Sequence, residues 1–248
     1  MEGQFSRTAM LYGCENVEKL KNSRVAVFGL GGVGGHCAEA LCRTGVGAID
    51  IFDGDIVDVT NINRQIIATF RTVGRDKAGV MRERLLEIAP EATVRATKLF
   101  YLPETAEAVD LSVFDYVVDA VDTVAAKIEI VCRATALGVP VISSMGAANK
   151  FDPTAFEVAD VYETSVCPIA RIMRNELRKR GVANLKVVYS KEPPQKPSAG
   201  LDGRRRPAAR PARASNAFVP PVAGLIIASE VVKDLILTQD KPGSIIST

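Results

Sequence analysis

The chain has 248 residues, of which 47% are hydrophobic and 24% charged, and its formal net charge is +2. It is long enough to bury a sizeable core. A charge so near zero excludes a protein that grips nucleic acid with its whole surface, so any such affinity needs a local patch. The five cysteines, Cys14, Cys37, Cys42, Cys132 and Cys167, include no CxxC pair, which argues against a small disulfide scaffold and against a structural zinc site. The first residues, MEGQFSRTAMLYG, carry no apolar signal core, so the expected compartment is the reducing cytoplasm.

Residues 1–24 read as an N-terminal arm with one helix, Glu15 to Lys21. Val25 to Phe28 is a short apolar run of the kind seen in buried parallel strands. Gly29, Gly31 and Gly34 follow at GxGxxG spacing, with Gly32 between them, and His36 to Arg43 reads as helix. A second apolar run, Ala48 to Phe52, ends in Asp53, 24 residues after Gly29. Strand, glycine turn, helix, strand and acid in this order predict a nucleotide-binding βαβ unit, with Asp53 placed to accept from a ribose. The alternative is a glycine turn kept only for packing. The glycines do not choose between NAD, FAD and ATP. Past Asp53 the sequence GDIVDVTNINRQ crowds Asp55, Asn61, Arg64 and Gln65 together. Hydride transfer has no evident need for this set, whereas a triphosphate exposed to attack favours an arginine as oxyanion partner.

Gly74 to Pro90 reads as a helix with Ala78, Met81, Leu85 and Ile88 on one face. Lys77 lies in its first turn, where the helix dipole disfavours a cation; it is either a phosphate ligand or a surface lysine. Thr93 to Thr97 is an expected strand, and Pro103 to Leu111 is weakly patterned. The strand Phe114 to Val121 ends in Asp119 and Asp122. Asp122 sits where a strand end can present a carboxylate to Mg²⁺, or else it caps the helix Thr123 to Leu137. Val139 to Ser143 and Ala155 to Val161 are expected strands flanking a small-residue loop, Met145 to Lys150. Cys167 to Arg180 is a basic amphipathic helix, with Ile169, Ile172, Met173 and Leu177 inward and Arg171, Arg174, Arg178, Lys179 and Arg180 outward. Leu185 to Tyr189 reads as strand. Residues 191–215, rich in Pro, Ala and Arg, read as a mobile crossover loop in which Arg204, Arg205, Arg206, Arg210 and Arg213 form a charge run. That run is either solvated or available for phosphate-backbone contacts. The last helix, Val222 to Leu237, is too short and too interrupted by charge to span a bilayer.

The set Asp53, Asp55, Asn61, Arg64, Gln65 and Lys77 resembles the ATP site of the ubiquitin-activating-enzyme-like superfamily, which includes the ThiF, MoeB and HesA adenylyltransferases. DAVD, followed by Lys127, is similar to that superfamily's magnesium-binding aspartate, which falls on Asp122. RTAMLYG, the glycine turn, TNINRQ, VGRDKAGVM, DAVDT, GAANKFDPT and SNAFVPPVAGLIIASEV together resemble the tRNA threonylcarbamoyladenosine dehydratase branch, almost end to end. The sulfur-carrier activators typically hold two CxxC pairs, absent here, and residues 191–215 hold no cysteine to act as an acceptor. Cys167, near a helix N-terminus, is either a reactive thiol or a buried structural one.

The resemblance implies a doubly wound, mostly parallel α/β fold of the Rossmann-like kind in one domain, 1–248. Its ATP-binding half is 25–150 and its substrate-side half 151–248. It implies ATP and Mg²⁺ as cofactors, tRNA carrying threonylcarbamoyladenosine as substrate, and a homodimer in which Arg7 reaches a neighbour's ATP; a solvated Arg7 is the alternative. Gly29, Gly31, Gly32, Gly34, Asp53, Asp55, Asn61 and Gln65 would hold nucleotide. Arg64, Lys77 and Arg7 would stabilise phosphate charge, and Asp122 would hold the metal. ATP would activate the threonyl carboxylate, and intramolecular attack would close a ring with net loss of water. The sequence offers no evident general base and identifies no sulfur-transfer or redox partner. Arg171, Arg174 and Arg178, with the loop arginines, are the candidate tRNA contacts. Two other functions compete: an adenylyltransferase acting on the C-terminus of a small carrier protein, and an NAD-dependent or silent nucleotide-binding module.

Overall fold

A computed structural model of the chain describes residues 3–196 and 214–237. Two short helices, α1 (Ser6–Tyr12) and α2 (Cys14–Lys21), precede β1 (Arg24–Phe28). There follow α3 (Gly34–Thr44), β2 (Ala48–Phe52), α4 (Lys77–Ile88), β3 (Thr93–Thr97), β4 (Tyr116–Asp119), α5 (Val124–Ala136) and β5 (Val141–Ser144). The chain continues through β6 (Phe156–Asp160), α6 (Pro168–Lys179), β7 (Lys186–Ser190) and α7 (Val219–Leu237). One seven-stranded sheet has the order β3-β2-β1-β4-β5-β7-β6. Every pairing is parallel except that of β6 with β7. The α/β fold class expected from the sequence is the one observed.

Alternation along β1 explains why the sheet is covered on both faces. Val25 and Val27 point into a cluster with Leu41 of α3 and Ile227 of α7, whereas Ala26 and Phe28 point into one with Ile130 and Ala134 of α5. A third cluster joins α5 and α6 to β7 through Val131, Met173 and Val187. Helices α3 and α7 approach so closely that a Cβ on Gly224 would lie 2.2 Å from the Val33 carbonyl oxygen.

Several boundaries differ from the sequence reading for local reasons. Helix α1 was not expected; Gly13, at φ +88°, separates it from α2. The helix expected from Gly74 starts at Lys77, because Gly74 sits at φ +86° and Ile56 pairs with Asp76 as an isolated antiparallel bridge. Strand β4 stops at Asp119. On α6 the buried face is Ala170, Met173 and Leu177, and Ile172, expected inward, is 43% exposed. Helix α7 starts three residues early, taking Pro220 and Pro221 into its first turn, where a missing N–H costs nothing. Arg204, Arg205, Arg206, Arg210 and Arg213 lie outside the described residues. Among the described residues no helix is long and apolar enough to cross a membrane.

Candidate active site

The strand order reverses direction between β1 and β4, and a crevice opens at the carboxyl ends of the strands there, as parallel sheets of this kind require. It is a cavity of about 380 Å³, within the range of small-molecule sites. Its walls are the turn after β1, the segment after β2, residues 99–102 beyond β3, the start of α5, and residues 144–148 at and just beyond the end of β5.

The glycines of the first turn serve different ends. Gly29 sits at φ +86°, and a Cβ there would meet the Ala120 carbonyl oxygen at 2.7 Å; at Gly34 a Cβ would strike the Gly29 carbonyl oxygen at 1.8 Å. These two let the chain pack on itself. At Gly32 a Cβ would lie 2.9 Å from Cβ of Pro220 and 3.3 Å from Cγ of Arg64. Gly31 is different: its Cβ would meet nothing nearer than the Gln65 side-chain nitrogen at 3.9 Å. Its missing side chain leaves room in the cavity itself, where a ligand's phosphates can approach the backbone. Helix α3 begins here with no side-chain cap, so its first-turn N–H groups have no side-chain acceptor at that end.

Asp53 accepts one hydrogen bond on each oxygen, from the Leu30 N–H at 2.6 Å and the Asp55 N–H at 2.8 Å. Burial raises its pKa above the ordinary carboxylate value, against the opposing pull of Lys77 and of those two N–H groups. Each oxygen keeps lone-pair capacity for a further donor. Beyond it, Leu99, Phe100 and Leu102 form an apolar wall; Gly54 allows this, since a Cβ there would lie 2.5 Å from the Phe100 ring. Lys77 is 5% exposed and donates to Asp55 at 2.9 Å, so the cation at the start of α4 is a buried, paired residue of the cavity wall and not a surface lysine.

Asn61 accepts from the Asp58 N–H at 3.1 Å in a reciprocal capping arrangement, fixing the turn that carries Arg64 and Gln65. The Arg64 guanidinium donates to the Thr60 carbonyl at 3.0 Å and to Asn63 Oδ1 at 2.9 Å. Gln65 is 6% exposed, and its Oε1 has no hydrogen-bond partner. Asp122 is exposed on the cavity wall. It is not the helix cap of the alternative reading: the cap position of α5 is Thr123, which makes no side-chain capping bond. Asp119 is wholly buried and ion-paired to Lys127 at 3.1 Å.

The structure thus brings Gly29, Gly31, Gly32, Asp53, Asp55, Asn61, Arg64, Gln65, Lys77 and Asp122 to one cavity, with Gly34 packed behind the turn. It does not bring Arg7, which is exposed on α1 outside that cavity. On α6 much of the basic face is occupied within the chain. Arg174 donates to the Thr164 carbonyl, Arg178 lies over the Tyr162 ring, and Lys179 and Arg180 pair with Glu176. Cys167 is buried. Residues 99–102, Ile169, Ser215 and Pro220 also line the cavity, and none was anticipated there. Residues 99–102 carried a signal, since they follow a strand end; Ser215 lies in a pattern-free stretch and carried none. Among the described residues no group of three or more His, Cys, Asp or Glu side chains could hold a metal by itself.

An acid at the second strand end, an open glycine turn and two cations facing one crevice define a nucleotide-binding α/β protein. The chain belongs to the ThiF family, whose model matches residues 5–245. It is 46% identical over 240 residues to the tRNA threonylcarbamoyladenosine dehydratase of Bacillus subtilis, covering 94% of each chain. Solved structures of the E. coli tRNA N6-threonylcarbamoyladenosine dehydratase are similar throughout. The complex with AMP has a TM-score of 0.84 at 33% identity, covering 94% of each chain. The complex with ATP has a TM-score of 0.81 at 31% identity, covering 94% of this chain and 93% of that one. The sulfur carrier protein adenylyltransferase of Thermus thermophilus is similar over less: 35% identity across 56% of this chain and 51% of that protein.

Proposed function

We infer that this chain is an ATP-dependent enzyme that activates the threonyl carboxylate of threonylcarbamoyladenosine in tRNA and closes it to the cyclic form. The observation that carries this reading is a cavity whose one end presents Gly31, Asp53, Arg64 and Lys77 and whose other end is the small neutral loop Gly146 to Ala148. The first end suits a nucleoside triphosphate and the second a carboxylate that must stay free to attack. The near full-length likeness to the Bacillus subtilis dehydratase supports the substrate.

In this reading Asp53 accepts from the ribose and the turn at Gly31 faces the phosphates. A carboxylate oxygen of the substrate forms a bond to the α-phosphorus, and pyrophosphate departs. Arg64 and Lys77 stabilise the charge that moves onto the leaving oxygens. A nucleophilic atom of the carbamoyl group then attacks the acyl carbon of the mixed anhydride. AMP leaves with the carboxylate oxygen, and the proton released goes to solvent. Both reacting groups belong to one side chain, so proximity supplies much of the rate.

Mg²⁺ fits the donor set. It binds through one or two carboxylates with substrate phosphates and waters completing its shell, and Asp122 offers such a carboxylate on the cavity wall. The ion would offset phosphate charge there. A homodimer in which Arg7 serves a neighbour's nucleotide is consistent with an exposed Arg7 beside Met10 and Leu11, which are 79% and 76% exposed. A tRNA substrate is consistent with the cytoplasmic compartment expected from the sequence. Arg171 remains exposed on α6 for RNA phosphates.

The test is mass spectrometry of nucleosides from threonylcarbamoyladenosine-bearing tRNA incubated with ATP, Mg²⁺ and the protein. The expected product is lighter by one water, and Asp122→Ala should lower its rate at least about a hundredfold without loss of the fold. Unchanged tRNA, with adenylation of a carrier protein's C-terminus instead, would overturn the assignment.

A further inference from the structure

Among the described residues, three buried side-chain polar atoms have no hydrogen-bond partner: Gln65 Oε1, Tyr101 OH and Ser215 Oγ. All three residues line the one cavity. Buried polar groups are almost always satisfied, so each such atom calls for an explanation, and a ligand is the simplest at a cavity wall. The Tyr101 hydroxyl has the charge of Arg133 beside it. Gln65 belongs to the nucleotide end. Ser215 has no role in the reading above.

The backbone around Ser215 is held from both sides of the crevice by three asparagines. Asn63, next to Arg64, donates to the Ser215 carbonyl at 3.1 Å. Asn149 accepts the Ala214 N–H on its side chain at 2.7 Å and donates its own N–H to the Ala214 carbonyl at 2.8 Å, from a left-handed conformation at φ +60° that asparagine tolerates. Asn216 donates to the Lys150 carbonyl at 3.1 Å and accepts the N–H groups of Phe218 and Val219 at 3.0 and 2.8 Å. Ser215 is thereby fixed where the cationic nucleotide end meets the neutral loop Gly146 to Ala148.

We propose that the Ser215 hydroxyl is a substrate-binding group that donates a hydrogen bond to an oxygen of the carboxylate to be activated. This rests on the function inferred above. A hydroxyl suits that place: it orients an anionic oxygen and, being neutral, does not trap it as an arginine would. Phosphate oxygen is the other anionic acceptor at hand, and the two are distinguished by what the substitution changes.

The experiment uses the full chain and its Ser215→Ala and Ser215→Thr variants. Three quantities are read: melting temperature, the melting shift produced by ATP with Mg²⁺, and kcat/KM for threonylcarbamoyladenosine-bearing tRNA. Since the hydroxyl has no protein partner, Ser215→Ala should melt no lower than the parent and keep the ATP shift. It should lose about tenfold to a hundredfold in kcat/KM for tRNA, the effect of one hydrogen bond to a charged group. Ser215→Thr, which retains the hydroxyl, should recover most of that loss. Parental kcat/KM in Ser215→Ala would refute the proposal. A loss confined to the ATP shift would assign the hydroxyl to phosphate, and a fall in melting temperature would show a structural partner; either overturns it. A parent protein that leaves the tRNA unchanged would instead refute the inferred function, and the melting comparison would still report whether the hydroxyl serves the fold.

Discussion

The pair Asp119 and Lys127 offers a test of how the cavity is held open. Both side chains are buried, 0% and 2% exposed, and their charged atoms are 3.1 Å apart. Lys127 also donates to the Ser144 carbonyl at 2.6 Å, and Ser143 donates to Asp119. One ammonium thus ties the end of β4 to the end of β5, where the neutral loop begins. Lys127→Met keeps most of the side-chain volume but strands a buried carboxylate with only the Ser143 hydroxyl and the Val121 N–H at 3.2 Å. Breaking a buried pair in this way costs about 3–5 kcal/mol. At about 2–4 °C per kcal/mol for a chain of this size, the melting temperature should fall by about 6–20 °C. Adding Asp119→Asn should recover much of the loss, because the residual cost is the unpaired charge and not the missing attraction. Scanning calorimetry of the parent, the single variant and the double variant measures both effects. A Lys127→Met protein melting within about 2 °C of the parent would show that the carboxylate finds water or another partner, and the reasoning would fail.

Gly31→Ala should fold and melt within about 2 °C of the parent, since nothing crowds that position, yet bind ATP at least about tenfold more weakly by isothermal titration. Gly34→Ala, which drives a Cβ into the Gly29 carbonyl, should be grossly destabilised in the same melting assay. Burial raises the pKa of Asp53 in the folded protein, so the folded state binds its proton more tightly than the unfolded one. Its contribution to stability is therefore greatest below the ordinary carboxylate pKa and is lost as pH rises through the folded value. Ribose binding needs the ionised form, so the ATP-induced melting shift should shrink as pH falls through the raised folded-state pKa of Asp53, and a shift independent of pH would remove Asp53 from the ribose.

The nucleotide end was legible in the sequence because its constraints act on the backbone. A positive φ at Gly29, a close approach at Gly34 and an open approach at Gly31 each demand glycine, and the spacing from Gly29 to Asp53 is the length of one helical crossover. A cation built into the cavity wall stands out for a related reason: Lys77 at a helix start contradicts the local dipole, and such a conflict points beyond local structure. Other features had no such local signature. Helix α1 is seven residues long and exposes Met10 and Leu11, so it lacks the one-sided apolar pattern by which helices are recognised. The face of α6 was misread at Ile172 because Ala170, a small residue, takes the buried place. Asp119 and Asp122 are three residues apart in one motif; only the resemblance assigns the metal to Asp122, and no local signal in the sequence separates the two. Burial does so, placing one carboxylate in the core beside Lys127 and leaving the other at the cavity wall.

The two ends of the cavity differ in charge, and the reaction inferred for it needs that difference. The triphosphate carries several negative charges, and its leaving group gains more as the α-phosphorus is attacked. Fixed cations there stabilise the transition state more than the ground state. The attacking group is itself a carboxylate. An arginine placed beside it would bind it tightly before reaction and withdraw the electrons it must donate, lowering KM without raising kcat. Gly146 to Ala148, Ile169 and Ser215 present no charge at that end, so the carboxylate would be oriented without being neutralised. Substrate choice would then rest on shape and single hydrogen bonds, which relatives can alter without touching the nucleotide end.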